Sequence, residues 1–196
     1  MNFSFTLLHG WNGGRTRETT HGGENLLPHQ LLLLLSDGSL TTHLEAIYDC
    51  ALAVEIREQG STRLDAGDSR FLGAAPGAEA VARGVWLKAE EERLVYAKTL
   101  LLTERLGKQL VHDVATVEVP LGRLLARSHP FSRKESIECA VATSPVVAEA
   151  LSLPDETPFW IRRYLLEARA AEGTQTLRAM VTELFTPELM GTPRVR

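Results

Sequence analysis

Two charged side chains stand inside apolar, strand-like segments of the chain, where they could take part in chemistry. The first is Glu183, in the segment "VTELF" at residues 181–185. Side chains of an extended chain alternate between two faces, so Glu183 shares a face with Val181 and Phe185. A carboxylate on such a face needs a partner or a neutralising proton, and burial should raise its pKa. The sequence leaves the protonation state of Glu183 open.

The second charge is Arg83, which opens the segment "RGVWL" and alternates onto the same face as Val85 and Leu87. Two interpretations of Arg83 and Glu183 are open. They could form a buried ion pair that only closes the core, because buried charges are normally paired. Alternatively, a bound molecule lies between them, with its acid group on the guanidinium and a hydroxyl on the carboxylate.

The other reactive residue types give weaker patterns. Ser128, His129 and Cys139 lack the surroundings of an activated nucleophile. The six histidines show no pair at metal-ligand spacing, so no metal site is predicted. Arg162 and Arg163 must face opposite ways on a strand, and either could point toward the acidic end of a bound molecule.

Composition indicates an ordinary globular protein. The chain has 196 residues, of which 44% are hydrophobic and 23% charged, which favours one domain. A net charge of -4 argues against a nucleic-acid partner. Cys50 and Cys139 are far apart in the sequence and read as free thiols in a reducing compartment. With no secretory signal and an apolar run at 31–35 too short to cross a bilayer, we expect a cytoplasmic protein without membrane contact.

The elements that must position the two charges are predicted from periodicity and from capping residues. Short helices are predicted in four segments: "NLLPHQLLLLL" (25–35), "LTTHLEAIYD" (40–49) capped by Ser39, "VPLGRLLARS" (119–128) and "SPVVAEALSLP" (144–154). Strands are predicted at 51–59, in a hairpin over 83–102, at 132–142, where a helix is the alternative, and in a hairpin over 159–185 with a turn at 170–174.

These elements predict an α+β fold with a single, roughly six-stranded antiparallel sheet, because hairpins outnumber helical connections. Residues 60–80 are rich in Gly and Ala and are expected to form a long loop or flap. We expect a flexible leader at residues 1–24, one domain at 25–190 and a tail at 191–196. A monomer is expected, with a dimer as the alternative.

Three segments in order carry a resemblance to a known family. They are "RGVWL" at 83–87, "VPLGRLLARSH" at 119–129 and "WIRRYLLEA…VTELF" across 160–185, and "SDGSLTTHLE" at 36–45 supports them. The ordered set R-x-[VI]-x-L, P-L-G-x-x-[LM] and T-E-[LH]-F resembles the chorismate pyruvate-lyase (4-hydroxybenzoate synthase) family. The resemblance spans roughly residues 25–188.

The resemblance implies an activity and a set of site residues. Family members cleave chorismate to 4-hydroxybenzoate and pyruvate without metal or organic cofactor, and short helices form flaps over an internal ligand cavity. By resemblance, Arg83 would hold the ring carboxylate, while the Leu121 backbone N–H and the Glu183 carboxyl would meet the 4-hydroxyl. Leu40 would be a flap residue over the carboxylate end. Arg83 and Glu183 are thus the predicted catalytic pair.

A binding module is the alternative to an enzyme. The same sheet architecture occurs in effector-sensing domains of bacterial repressors, which bind a small acid without transforming it. Such sensors normally follow a DNA-binding winged helix, whereas the first 24 residues here are Gly-rich and show no helix-turn-helix pattern. The favoured partner is therefore a small molecule, chorismate as substrate and 4-hydroxybenzoate as product, in a pathway such as quinone or other phenolic biosynthesis.

Overall fold

The strands that the structure describes form one antiparallel sheet, in the order β1-β5-β6-β7-β4-β3-β2. The computed structural model describes residues 3–13, 26–104, 112–114, 116, 119–128, 131–169 and 176–193. The strands are β1 Thr6–Leu7, β2 Ala53–Arg63, β3 Glu79–Ala89, β4 Glu92–Leu102, β5 Phe131–Thr143, β6 Pro158–Arg169 and β7 Thr176–Phe185. The helices are α1 Pro28–Leu35, α2 Leu40–Tyr48, α3 Ala66–Leu72, α4 Leu121–Ser128, α5 Pro145–Ala150 and α6 Pro187–Met190.

The predicted α+β fold is confirmed, with seven strands in the described part of the chain instead of about six. Both predicted hairpins form, β3 with β4 and β6 with β7, and β4 pairs with β7 to join them at the centre of the sheet. The segment at 132–142, predicted as a strand with a helix as the alternative, lies in strand β5. The predicted turn of the second hairpin lies outside the described residues.

Helices and the N-terminal segment cover the two faces of the sheet. One face carries the larger apolar cluster, to which α1, α2, α4 and α6 contribute leucines and a methionine. The opposite face carries two smaller clusters, under α5 with the N-terminal segment and under α3. Alternation along β7 agrees with the prediction, since Val181 and Phe185 belong to the first face and Leu184 to the second.

The N-terminal segment is packed on the sheet where the structure describes it. Strand β1 pairs with β5, and Phe3 is 6% exposed and lies 4.8 Å from the Tyr96 ring between centroids. The flexible leader predicted for residues 1–24 is therefore wrong over residues 3–13, because Phe3 supplies an apolar anchor even though glycines follow from Gly10 onward. The other leader residues lie outside the described part of the chain, and the boundaries of the domain stay predictions.

The predicted long loop at 60–80 is also wrong. Strand β2 continues to Arg63 and is followed by helix α3. The Asp65 carboxylate accepts a hydrogen bond from the Asp68 N–H at 2.8 Å and so caps the helix, and Gly73 ends it at a φ of 64°. The high content of Gly and Ala led to the prediction of a loop, although Asp65 and Gly73 are capping residues that specify helix α3.

Strand β5 contains a bulge that changes which residues face the helices. Its pairing with β6 shifts between Glu135 and Glu138, and Ser136 has a positive φ of 51°. One extra residue in a strand reverses the alternation beyond it. Lys134 before the bulge and Cys139 after it therefore lie on the same face, although strict alternation would separate them.

No helix in the described part of the chain is long and apolar enough to span a bilayer.

Candidate functional site

A cavity of about 370 Å³ lies between the sheet and the helices α2 and α4. The four predicted site residues, Arg83, Leu121, Glu183 and Leu40, all line it. They come from β3, the first turn of α4, β7 and the first turn of α2. The tertiary structure thus brings into one cavity the four residues that the sequence could only propose separately.

Arg83 enters this cavity from β3. Its side chain is buried, at 2% exposure, and burial lowers the pKa of the guanidinium. Its Nη2 donates a hydrogen bond of 3.0 Å to the carbonyl of Val119, next to the turn that begins α4. This contact fixes Arg83 against the P-L-G segment, so that the guanidinium and the Leu121 amide belong to one corner of the cavity.

Glu183 is paired with Arg162, and the sequence did not predict this partner. The two residues face each other directly across the β6–β7 pairing. The Arg162 Nε donates to the Glu183 Oε2 at 2.5 Å, and the Tyr164 hydroxyl donates to Oε1 at 2.9 Å. The interpretation that Arg83 and Glu183 close the core as an ion pair is wrong, because Arg162 compensates the carboxylate.

The pKa of Glu183 is lowered, which corrects the predicted rise. Burial alone would raise this pKa, but the charges of Arg162 and Lys134 and the hydrogen bonds from Arg162 and Tyr164 lower it. Glu183 is therefore ionised in the folded protein. Each carboxylate oxygen accepts one of these hydrogen bonds, which leaves a lone pair on each for a donor in the cavity.

Arg162 also holds the end of helix α1. Its Nη1 donates to the carbonyls of Leu33, Leu34 and Ser36, at 2.5, 3.3 and 3.2 Å. The last carbonyls of a helix have no partner within it, and a cation there also complements the helix dipole. Of the two adjacent arginines in β6, Arg162 is thus the one on the cavity face. Its Nε and Nη1 donate to protein groups, whereas its buried Nη2 has no hydrogen-bond partner among the described residues.

Arg163 lies on the opposite face of the sheet. Its guanidinium pairs with Glu138 at 2.6 Å and stacks on the rings of Trp11 and Phe71, at 4.4 and 4.2 Å. Arg163 therefore does not reach the cavity, and its contacts are those of a structural residue.

Lys134 is a cavity residue that sequence reasoning missed. Its Nζ donates to the Gly38 carbonyl at 2.6 Å and lies 4.6 Å from the centroid of the Tyr164 ring. Burial lowers the pKa of Lys134 to about 8. No signal in the strand pattern placed it here, since the bulge at Ser136 is what turns Lys134 toward the helices.

The connection between α1 and α2 forms one wall of the cavity. Ser39 caps α2 as predicted, since its Oγ accepts from the Thr42 N–H at 3.3 Å. Leu40 follows at the start of the helix and is 4% exposed. Helix α2 thus presents an apolar residue and the polar Ser39 to the same space, as a flap over a ligand would.

Neither Cys139 nor any histidine of the described residues is among those that line this cavity. Burial raises the pKa of the Cys139 thiol to about 12, and its Sγ donates to the Leu34 carbonyl. His129 and the side chain of Ser128 lie outside the described residues. In the part of the chain that the structure describes, no group of three or more His, Cys, Asp and Glu side chains is arranged to hold a metal ion.

The fold is shared with effector domains of known structure. The effector domain of PhnF from Mycobacterium smegmatis has a TM-score of 0.57 and 14% identity, over 79% of this chain and 91% of that one. A PhnF C-terminal domain has a TM-score of 0.55 and 13% identity, over 67% and 80%. At these identities the likeness concerns the fold alone.

The family is given by sequence. Residues 34–192 match the family described as "Chorismate pyruvate-lyase Rv2949c-like", and the chain belongs to that family. A protein of Methylococcus capsulatus named "Probable chorismate pyruvate-lyase" is 28% identical over 161 residues, which are 80% of this chain and 93% of that protein. The resemblance drawn from the sequence motifs is thereby confirmed.

Proposed function

We propose that this protein is a lyase that cleaves chorismate to 4-hydroxybenzoate and pyruvate. The observation that carries the proposal is one cavity lined by Arg83, Glu183, Leu121 and Leu40 in a chain of this family. A cytoplasmic enzyme that supplies 4-hydroxybenzoate to quinone or other phenolic biosynthesis is the corresponding cellular role.

The spacing of Arg83 and Glu183 suits a six-membered ring with a substituent at each end. Arg83 pairs with Thr99 on β4, and Ala97 pairs with Glu183 on β7, so β4 separates the two charges. Two strand spacings across and two residues along the strand put their Cα atoms about 12 Å apart. Both side chains extend inward, which leaves room for one ring between a cation and an anion.

Each group then has a role in holding the substrate. The Arg83 guanidinium binds the ring carboxylate. The 4-hydroxyl donates to the ionised Glu183 and accepts from the Leu121 N–H, one of the first amides of α4, which have no partner within the helix. Leu40 on the flap helps to exclude water from the reacting centre. Arg162 and Tyr164 act as positioning residues, because they orient the Glu183 carboxylate and keep it charged.

The reaction needs no external oxidant or nucleophile. The C3–O bond breaks, the ring loses the hydrogen on C4, and the enolpyruvyl methylene gains one hydrogen to give the methyl group of pyruvate. Aromatisation of the ring drives the change, so binding in a reactive conformation and compensation of charge account for what the protein must supply. No cofactor is required in this scheme.

The test is turnover of chorismate by the purified protein in a buffer that contains a metal chelator. We expect equimolar 4-hydroxybenzoate and pyruvate, measured by chromatography. Saturable binding of chorismate without either product would refute the lyase and favour a small-acid-binding module of the same fold.

Variants of the two charges separate the roles of substrate binding and turnover. Arg83→Met should weaken binding of 4-hydroxybenzoate by about 10–100-fold, since the carboxylate loses a charged donor. Glu183→Gln should lower kcat more than it changes KM. Arg57→Met is the matched control, because Arg57 pairs with Glu55 outside the cavity. Full activity in folded Arg83→Met or Glu183→Gln protein would show that the site assignment is wrong.

A further inference from the structure

The proposed roles give no part to Lys134, a half-buried cation that lines the cavity. Its Nζ lies over the Tyr164 ring, and the hydroxyl of the same tyrosine donates to Glu183. Lys134 therefore stands at the Glu183 side of the cavity. A lysine ammonium has three N–H donors, and Lys134 uses one of them for the Gly38 carbonyl. Donor capacity remains for a ligand.

Lys134 and Arg83 enter the cavity from distant parts of the sheet. Lys134 is on β5 and Arg83 on β3, and the strands β6, β7 and β4 lie between them. Both side chains nevertheless line the same cavity. Two of the cations that line the cavity, Arg83 and Lys134, thus lie on opposite sides of the strand that carries Glu183, an arrangement that fits an anion with two carboxylates. The other lining cations, Arg123 and Arg133, are exposed and pair with Glu45 and Glu167.

We propose that Lys134 binds the carboxylate of the enolpyruvyl group and so distinguishes the substrate from the aromatic product. This inference rests on the proposed function. With the ring carboxylate on Arg83 and the 4-hydroxyl on Glu183, the enolpyruvyl group on the neighbouring carbon C3 lies at the Glu183 side. The second carboxylate then comes within reach of the Lys134 ammonium.

The same contact supports bond cleavage. As the C3–O bond breaks, negative charge grows on the departing three-carbon unit, and a fixed ammonium beside it stabilises that charge. The product 4-hydroxybenzoate has only the ring carboxylate. Lys134 therefore stabilises the bound substrate and the transition state, but not the bound product, which lacks the second carboxylate.

The charge of Lys134 depends on the groups that face it. Burial lowers its pKa, Glu183 on β7 and Asp37 before α2 raise it, and Arg162 on β6 lowers it, with a result of about 8. The group is thus mainly cationic at neutral pH. A bound carboxylate favours the charged form further.

The alternative is that Lys134 only anchors the connection before α2 through the Gly38 carbonyl. In that case its loss should disturb the whole cavity, and substrate and product should be affected equally. The decisive quantity is therefore the ratio between the effects of a substitution on chorismate and on 4-hydroxybenzoate.

The test compares Lys134→Met, Lys134→Arg and the control Lys88→Met, whose lysine pairs with Glu91 outside the cavity. Steady-state kinetics give kcat/KM for chorismate, and calorimetry gives Kd for 4-hydroxybenzoate. We expect Lys134→Met to lower kcat/KM by about 10–100-fold, the usual effect of losing a charge-assisted hydrogen bond, with Kd for 4-hydroxybenzoate changed less than about twofold. Lys134→Arg should recover most of the loss.

Equal weakening of both ligands by Lys134→Met, or no change in either, would overturn the inference. The result is separable from the proposed function. If the wild-type protein binds chorismate without turnover, the lyase proposal fails, and a selective loss of chorismate affinity in Lys134→Met still supports the second carboxylate site. Circular dichroism of each variant confirms that the folded protein is compared.

Discussion

Replacing Arg162 by methionine should destabilise the protein far more than a single surface ion pair would. Arg162 compensates Glu183 in the core and donates to three carbonyls at the end of α1. Removing one partner of a buried pair leaves an uncompensated charge, which typically costs about 3–5 kcal/mol. With an m-value of roughly 2 kcal/mol/M, the urea midpoint should fall by about 1.5–2.5 M.

A double-mutant cycle with Glu183→Gln isolates the interaction. Glu183→Gln alone should cost less than Arg162→Met, because Arg162 keeps the backbone carbonyls of α1 as acceptors. The double variant should be more stable than the sum of the two losses predicts, by about 2 kcal/mol, since neither residue is then left as an unpaired charge. Equilibrium urea unfolding at pH 7, followed by circular dichroism, gives each free energy of unfolding.

The neighbouring Arg163→Met is the matched control. Its ion pair with Glu138 is about a quarter exposed, at 23% and 27% for the two side chains, so it is screened by solvent. Loss of this pair and of the stacking on aromatic rings should cost only about 1–2 kcal/mol. If Arg162→Met costs no more than Arg163→Met, or if the double variant loses the full sum, Glu183 is not compensated by Arg162 in the way described.

Three further predictions concern packing, capping and charge. Gly84→Ala should lower the free energy of unfolding by about 1–3 kcal/mol, because an added Cβ would collide with the Tyr96 hydroxyl. Chemical denaturation measures this free energy, and unchanged stability would contradict the packing. Ser39→Ala should lower Tm by about 2–4 °C, because the Thr42 N–H loses the hydroxyl that caps it. Calorimetry measures this change, and a Tm within about 1 °C of the wild type would show that the cap contributes little. The kcat/KM for chorismate should fall as pH rises through about 8, because Lys134 is cationic below its pKa and neutral above it. In a pH–rate profile, Lys134→Arg should abolish this fall. An identical fall in both proteins would show that another group causes the pH dependence.

Much of the fold was accessible from the sequence because it depends on short-range patterns. Alternation of apolar side chains located both hairpins, and it placed Arg83 and Glu183 on apolar faces. The cap at Ser39 and the prolines near helix starts predicted the short helices. The motifs of the family supplied Arg83, Leu121, Glu183 and Leu40, four of the residues that line the cavity. The segment at 60–80 was predicted wrongly, because its Gly and Ala content outweighed the capping signals.

The partner of Glu183 depends on the register between β6 and β7. The length of the turn that joins the two strands sets this register, and the sequence does not fix that length. A turn of five residues, as predicted at 170–174, pairs Arg169 with residue 175 and would put Ile161 opposite Glu183. The structure pairs Arg169 with Thr176, and this shift by one residue puts Arg162 there instead. Composition and periodicity are the same in both registers, so the sequence could not distinguish them.

The sequence by itself determined that two charges occupy apolar strand faces, since alternation within a strand is a local property of the extended backbone. Only the tertiary structure decided which charges meet. The bulge at Ser136 turned Lys134 into the cavity, the hairpin register joined Arg162 to Glu183, and the order of strands set Arg83 two strands away from β7. These are non-local choices, because they depend on pairings between strands that no single segment encodes.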